Sequence, residues 1–369
     1  MTDFDVAIIG AGIAGASLAA ELAGQRRVLL LEAEAYPGYH ATGRSAAFWT
    51  ESYGGPKIQP LTSASGPFLA CPPPDFSDKP LMTKRGAMYI GEAQHQSLAG
   101  QMLGEFAASG VKIAQILPAA IKTYLPNLRN SWSVGLYEPE CCDIDVAGLH
   151  AAYLRQAKRL GAKLLCRAAL QSAIWRDDAW SLTSGAGGFS AKILVNAAGA
   201  WADDIAIMAG VRPLQIKPYR RTIAQLRTRP AAPANLPLVI GLDGSFYFKP
   251  DTGGKLWLSP HDETLMPPCD AAPEEIDVAR AIERFGQVVD CDIVAVEHKW
   301  AGLRSFAPDR LPVIGYDCDR PEFFWFAGQG GFGIQTAPAS AWLAASLLSP
   351  DAKAPAAISA ESYSPARFR

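Results

Sequence analysis

Apolar and polar positions along this chain alternate between two regimes. DVAIIG, residues 5–10, is a short run of β-branched and small apolar residues, the pattern of a strand buried on both faces. The alanine-rich ASLAAELAG that follows predicts a helix ending at Gly24, and RVLLLE predicts a second buried strand ending in Glu32. A strand, a glycine cluster and a helix recur in ILVNAAGAWAD (193–203) and in FFWFAGQGGFGIQTAPA (323–339). Between these stretches the pattern changes. RGAMYIGE and RTIAQLRT read as strands, and SFYFKPDTGGKLWLSP reads as a hairpin turning at 251–254. QSLAGQMLGEFAASG predicts a helix closed by Gly110, and no internal repeat is visible.

The first glycine cluster has a physical task at each position. Gly10 permits a tight turn, Gly12 lets a pyrophosphate approach the backbone around Ile13 and Ala14, and Gly15 lets the helix sit against the strand. The helix N-terminus offers unpaired N–H groups to phosphate, and Glu32 is placed to accept from a ribose diol. An acid there favours NAD or FAD over NADP. A second small-residue loop, Thr42-Gly43-Arg44-Ser45-Ala46-Ala47, is suited to a second flat group, and two more glycine loops follow far along the chain. A nicotinamide enzyme has no need of them; a long cofactor threaded through the protein does.

Composition narrows the partners. The 369 residues are 49% apolar and 19% charged, with 34 Lys and Arg against 36 Asp and Glu, so no basic field suggests nucleic acid or a membrane surface. The seven cysteines contain no Cys-x-x-Cys pair, and the five histidines show no metal spacing, so no metal is expected. No apolar run reaches the ~18 residues of a membrane span, and the acidic N-terminus is unlike a signal peptide. The expected location is cytoplasmic.

WAGLRSFAPDRLPVIG, residues 300–315, sets Arg304 among apolar neighbours. A buried guanidinium needs an anion, either a local one such as Asp309 or a substrate. The ordered set of Gly10–Gly15, Glu32, TGRSAA, VNAAGAW, AGLRSFAPDRLPVIG and GQGGFGIQTAPA resembles the D-amino-acid oxidase family of flavoenzymes. PGYHATGRSAAFWTESYG and SFYFKP look closest to the bacterial FAD-dependent D-arginine dehydrogenases. The resemblance spans the whole chain. It implies an α/β fold in which a Rossmann-like FAD-binding domain (1–83, 142–218, 303–369) interleaves with a mixed-sheet substrate-binding domain (84–141, 219–302). It implies FAD bound extended and without a covalent link, since AGQGGFGIQ holds no cysteine.

The cofactor positions it implies are Gly10, Gly12, Ile13, Ala14, Gly15, Glu32, Thr42, Gly43, Arg44, Ser45, Ala47, Ala169, Ala198, Gly199, Trp201, Gly331, Gly333, Ile334, Gln335 and Thr336. Backbone N–H groups of 331–335, read as opening a helix, would face the flavin N1–C2=O edge, with Gln335 bordering the ring. Arg304 and Arg221 would clamp a substrate carboxylate beside Tyr53, Tyr247 and Gly331. Arg220 is expected to be solvated or structural. Where the D-arginine enzymes carry an acid for the distal cation, this chain has Ala87; their polar position 48 is Phe48. Phe48, Trp49, Ala87, Met88 and Phe332 are therefore expected to form an apolar pocket, with Glu51 the one acid able to replace the missing one. The implied activity is oxidative deamination of neutral, apolar or aromatic D-amino acids to 2-oxo acids and ammonia. The alternatives are a secondary amine (glycine, sarcosine, proline), a 2-hydroxy acid, or a non-catalytic FAD-binding subunit. The electron acceptor, a quinone, another carrier or oxygen, stays open.

Overall fold

The computed structural model describes residues 3–369. The strand Phe4–Ile9 lies between Val28–Leu31 and Gly187–Asn196, parallel to both. Lys163–Leu165 extends the sheet beyond Val28–Leu31, and Phe323–Ala327 lies parallel to the end of Gly187–Asn196. Antiparallel strands complete an eight-stranded sheet. The central stretches of the parallel strands, residues 6–9, Val28–Leu31 and residues 193–195, are apolar because helices Ile13–Leu22, Val146–Arg159 and Ala337–Leu348 bury one face and a second apolar cluster around Trp180 and Trp325 buries the other.

Two of the three glycines of the first cluster, Gly10 and Gly15, are sterically required. Gly10 has φ +100°, and a Cβ there would lie 2.5 Å from the Ala197 carbonyl oxygen; one on Gly15 would lie 1.9 Å from the Gly10 oxygen. Only hydrogen fits at either site, so the strand, the helix and the Ala197 loop close on one another.

A second, nine-stranded mixed sheet carries the other half of the site. Ala87–Glu92 runs parallel to Leu238–Gly241, and Tyr247–Asp251 with Lys255–Ser259 forms the expected hairpin. The longest pairing joins Lys217–Arg229 to Asp292–Phe306 antiparallel, with Arg221 opposite Gly302 and Tyr219 opposite Arg304. Side chains alternate along a strand, so Arg221 and Arg304 are diagonal neighbours on one face. One face of this sheet is sealed by helix Glu275–Val288; the other meets Phe48, Tyr53 and Tyr247.

Three expectations change. The last helix begins at Ala337, and residues 331–336 form consecutive turns, so the backbone of 331–335 does not open a helix. The helix before Gly110 ends earlier, at Phe106. The pleat also separates the expected pocket residues. Ala87 and Tyr89 face the site, whereas Met88 points into the core beneath the helix, and Trp49 turns away from Phe48 to donate its indole N–H to the Thr62 carbonyl.

Candidate active site

A cavity of about 440 Å³ runs from the first glycine turn to the paired arginines. Gly10, Gly12, Ile13, Ala14, Glu32 and Thr42 line one end; Ala169, Ala198, Gly199 and Trp201 line its middle; Arg44, Ser45, Arg221, Arg304, Gly331, Gly333 and Ile334 line the rest. Glu32 also fixes the turn it faces: Ala11 N–H donates to Oε2 at 2.9 Å and Glu34 N–H to Oε1 at 3.0 Å. Each oxygen keeps lone-pair capacity toward the cavity. Thr42 Oγ1 accepts from Ile13 N–H at 2.9 Å and sits 3.2 Å from where a Gly12 Cβ would be. The absent side chains at Gly12 and Gly331 help leave an extended trough of a dinucleotide's shape, with N–H groups at its phosphate end.

Other positions implied for the cofactor contribute indirectly. Gly15 and Gly43 are backbone contacts, the latter with its Cβ position 2.7 Å from Gly38 O, and Thr336 is fully buried, donating to Phe332 O. Ala47 and Gln335 line a separate small space near Phe48. Gln335 spends its amide on the protein: Oε1 accepts from Thr50 N–H, and Nε2 donates to Tyr53 O and Thr62 Oγ1. It positions the Thr50–Tyr53 turn and does not border the large cavity. Arg44 is likewise a strut, donating to the carbonyls of Ala271 and Ala301 and pairing with Asp270. His40 holds Glu34 at 2.9 Å and lies 4.6 Å, centre to centre, from Trp201.

The paired arginines differ from Arg220 in their supply of carboxylates, although Arg220 Nε is also without a hydrogen-bond partner. Arg220 is structural, clamped between Glu274 and Asp277. Asp309 pairs with Arg367, so it is not the anion for Arg304. Arg304 Nη2 donates to Tyr247 Oη at 3.5 Å, and its Nη1 is buried without a hydrogen-bond partner. Arg221 donates from Nε to Asp262 O and from Nη2 to Glu263, yet its Nη1 is also orphaned. Burial, and then the charge of Arg304, pulls the Arg221 pKa below its ordinary value. Two guanidiniums with uncompensated N–H groups at one end of a cavity make an anion site.

Around them stand Tyr53, Tyr247 and Phe48, with edge contacts of 5.0 Å between the Phe48 and Tyr53 rings and 6.1 Å between those of Phe48 and Tyr247. A Cβ on Gly331 would lie 3.4 Å from Arg304 Nη1 and 3.5 Å from Tyr53 Oη, so this glycine opens the point at which both groups aim. The space bounded by Ser45, Ala46, Ala47, Phe48, Tyr53 and Arg304 is only about 10 Å³, room for about one water. Phe48 and Ala87 are buried in one cluster, so the phenyl ring fills the volume the sequence assigns to a side-chain pocket.

Two residues of this site were not expected from sequence. His261 accepts from Tyr53 Oη at 3.2 Å. Glu138 lies on the strand beside Ala87, its direct cross-strand partner, and accepts from Glu51 N–H at 2.7 Å and from the Ser52 hydroxyl. Burial pushes its pKa up to about 7. Glu51 itself is taken by the Ser63 hydroxyl, and Lys84 and Arg85 pair outward with Glu140 and Asp143, so none of the three faces the site.

A glycine-lined trough that ends at two arginines with unpartnered Nη1 atoms fits an FAD-dependent oxidoreductase. The chain belongs to the DAO family, described as FAD dependent oxidoreductase, whose family model matches residues 5–347. It is 28% identical over 245 residues to human mitochondrial dimethylglycine dehydrogenase, covering 59% of this chain and 28% of that one. It is 28% identical over 178 residues to hydrogen cyanide synthase subunit HcnC of Pseudomonas aeruginosa, covering 47% and 42%. The match thus spans less than half the length of these curated relatives. Its fold is that of L-proline dehydrogenase from P. horikoshii (TM-score 0.85, 22% identity, 99% and 97% covered) and glycine oxidase from Geobacillus kaustophilus (0.84, 22%, 99% and 98%). The cofactor is FAD. Among the described residues no helix is long and apolar enough to cross a membrane, and no cluster of His, Cys, Asp or Glu could hold a metal.

Proposed function

We propose that this protein oxidises the Cα–N bond of a small amino acid, a D-amino acid or an N-substituted glycine, whose carboxylate docks on Arg304 and Arg221. The orphaned Nη1 atoms carry this reading, because a buried guanidinium N–H without an acceptor is costly unless a ligand supplies one, and Arg304 has no carboxylate partner at all. Bound FAD supplies the two-electron acceptor for the Cα hydride. Arg304 and Arg221 hold the carboxylate and thereby aim the Cα–H; Tyr247 and Tyr53 border the substrate on the side opened by Gly331. Loss of the hydride and of one nitrogen proton leaves an imine, which water converts to a 2-oxo acid and ammonia or an amine.

The small space at Phe48 favours a second version of the reading, with little or nothing on Cα: glycine or an N-alkylglycine. The named substrates of the glycine oxidase and dimethylglycine dehydrogenase relatives support it equally with the D-amino-acid version. The deciding experiment is anaerobic mixing of the yellow holoprotein with glycine, sarcosine, L-proline, D- and L-alanine, D-leucine, D-phenylalanine, D-arginine and 2-hydroxy acids. Bleaching by glycine or sarcosine above D-phenylalanine supports the small-substrate version, and the reverse order supports an apolar side-chain pocket. Bleaching by none overturns the reading and leaves an FAD-binding subunit. Readmitting air or a quinone then identifies the electron acceptor.

A further inference from the structure

We propose that His261 is a positioning residue that fixes the Tyr53 hydroxyl as a hydrogen-bond acceptor toward the substrate, so that the protein uses amines retaining an N–H, primary or secondary, and rejects their tertiary analogues. The inference rests on the carboxylate-anchored reading above. His261 follows the strand Lys255–Ser259 in a left-handed conformation (φ 54°), with the rings of Tyr53 and Tyr247 at 6.3 and 5.5 Å. Its Nδ1 lies 2.5 Å from the Gly244 carbonyl oxygen. A carbonyl has no proton to give, so Nδ1 carries the hydrogen and Nε2 is a bare lone pair in the neutral ring. Tyr53 must then donate its only O–H to Nε2, across 3.2 Å.

The ring's surroundings keep it neutral. It faces the cations Arg221, Arg304 and Arg310 and the phenols of Tyr53 and Tyr247, while the adjacent Asp262 carboxylate turns to Thr222 N–H and Oγ1. Burial, and then the charge of Arg221, pushes its pKa down to about 3. With its proton committed, Tyr53 Oη offers only lone pairs to whatever occupies the space opened by Gly331. The arginines can only donate and so take the carboxylate. The neighbouring group on Cα must give Oη a hydrogen, which a free-base primary or secondary amine has and a dialkylated amine lacks.

The test uses the holoprotein and its H261L, H261Q and Y53F variants. Flavin reduction is followed anaerobically with glycine, N-methylglycine and N,N-dimethylglycine, and with D-alanine and its N-methyl and N,N-dimethyl forms. In the unmodified protein kcat/KM for the dimethyl compound should fall roughly 10-fold or more below that of the best N–H amine. H261L and Y53F should narrow this ratio by slowing the N–H amines alone, and H261Q, which presents an amide oxygen to Tyr53, should restore it. A purely structural role would slow all compounds alike and leave the ratio unchanged. Equal use of tertiary and secondary amines by the unmodified protein overturns the inference while leaving the carboxylate-anchored reading intact. If no amine reacts, both fall. Independently, ¹⁵N spectra of the histidines should show His261 with a protonated Nδ1 and bare Nε2 from pH 5 to 9; a protonated Nε2 overturns the assignment.

Discussion

Glu138 makes a quantitative prediction. Its carboxyl is fully buried and its two hydrogen bonds both go to the turn that carries Tyr53. Burial raises its pKa from 4.5 to about 7, against the opposing effect of the Ser52 and Glu51 hydrogen bonds. Between pH 4.5 and 7 the unfolded chain has released this proton and the folded protein still holds it. Stability therefore falls as pH rises, by about 1.4 kcal/mol per pH unit, and the loss is complete above the folded pKa. The whole effect is roughly 3 kcal/mol for a single side chain.

The substitution Glu138→Gln removes the titration, keeps the acceptor for Glu51 N–H and reverses the sense of the Ser52 hydrogen bond. Its oxygen can accept from Glu51 N–H, and its amide can donate to Ser52 Oγ, whose own hydroxyl proton is then free for Tyr89 Oη at 2.8 Å. Urea unfolding of holoprotein, read by flavin release and circular dichroism at pH 5 and 8, compares the two proteins. The variant should gain roughly 2.5 kcal/mol relative to wild type on going from pH 5 to 8. Glu21, raised to about 7 by its own burial, titrates in the same window in both proteins and cancels in the difference. Parallel pH dependences for wild type and variant would refute a buried, proton-holding Glu138.

The remaining predictions concern the cavity and its ends. Arg304→Met should keep FAD but lower kcat/KM roughly 10²- to 10³-fold in steady-state assays, and Arg304→Lys should recover little, because an ammonium cannot replace a planar fork. Gly331→Ala meets only ordinary contacts at 3.4 and 3.5 Å, so the variant should fold and load flavin while KM for the amino acid rises about tenfold. Gly10→Ala, with φ +100° and a 2.5 Å clash, should lose flavin, as absorbance per protein would report. Arg44→Ala should weaken FAD retention about tenfold through loss of its three carbonyl contacts. Asp270→Asn should change it less than about twofold, since Asp270 is 60% exposed.

The parts of the site made by the backbone were legible in the sequence. Gly10, Gly12 and Gly15 are contiguous, and their steric demands hold wherever a strand, a tight turn and a helix must close on a phosphate. Arg304 was legible for a related reason: a guanidinium in an apolar run poses a charge problem that local sequence either solves or leaves open. Asp309 looked like a local answer, but it is committed to Arg367. The turns at 331–336 were read as helix because small residues and a following Ala-Pro pair look alike in both settings; with Pro338 near the helix start, Ala337 is the first helical residue.

The pocket walls were misread where the reading ignored the pleat. Ala87 and Met88 are neighbours on one strand, as are Phe48 and Trp49, and successive side chains on a strand leave opposite faces. Only one of each pair can face the substrate. Ala87 and Phe48 lie on the site side in one buried cluster, and the space beside Phe48 holds about one water. Alternation could have predicted this exclusion, whereas His261 and Glu138 had no comparable signal. His261 meets Tyr53 across 208 residues of sequence, and Glu138 meets Ser52 across 86. Both contacts depend on the order of strands in the second sheet. The acid sought on the strand of Ala87 is on the neighbouring strand, directly opposite, and points its oxygens at the turn beneath Tyr53. An acid so placed and mostly protonated below pH 7 cannot hold a distal substrate cation there. Its position beneath Tyr53 instead ties that tyrosine's turn to the packing of the mixed sheet.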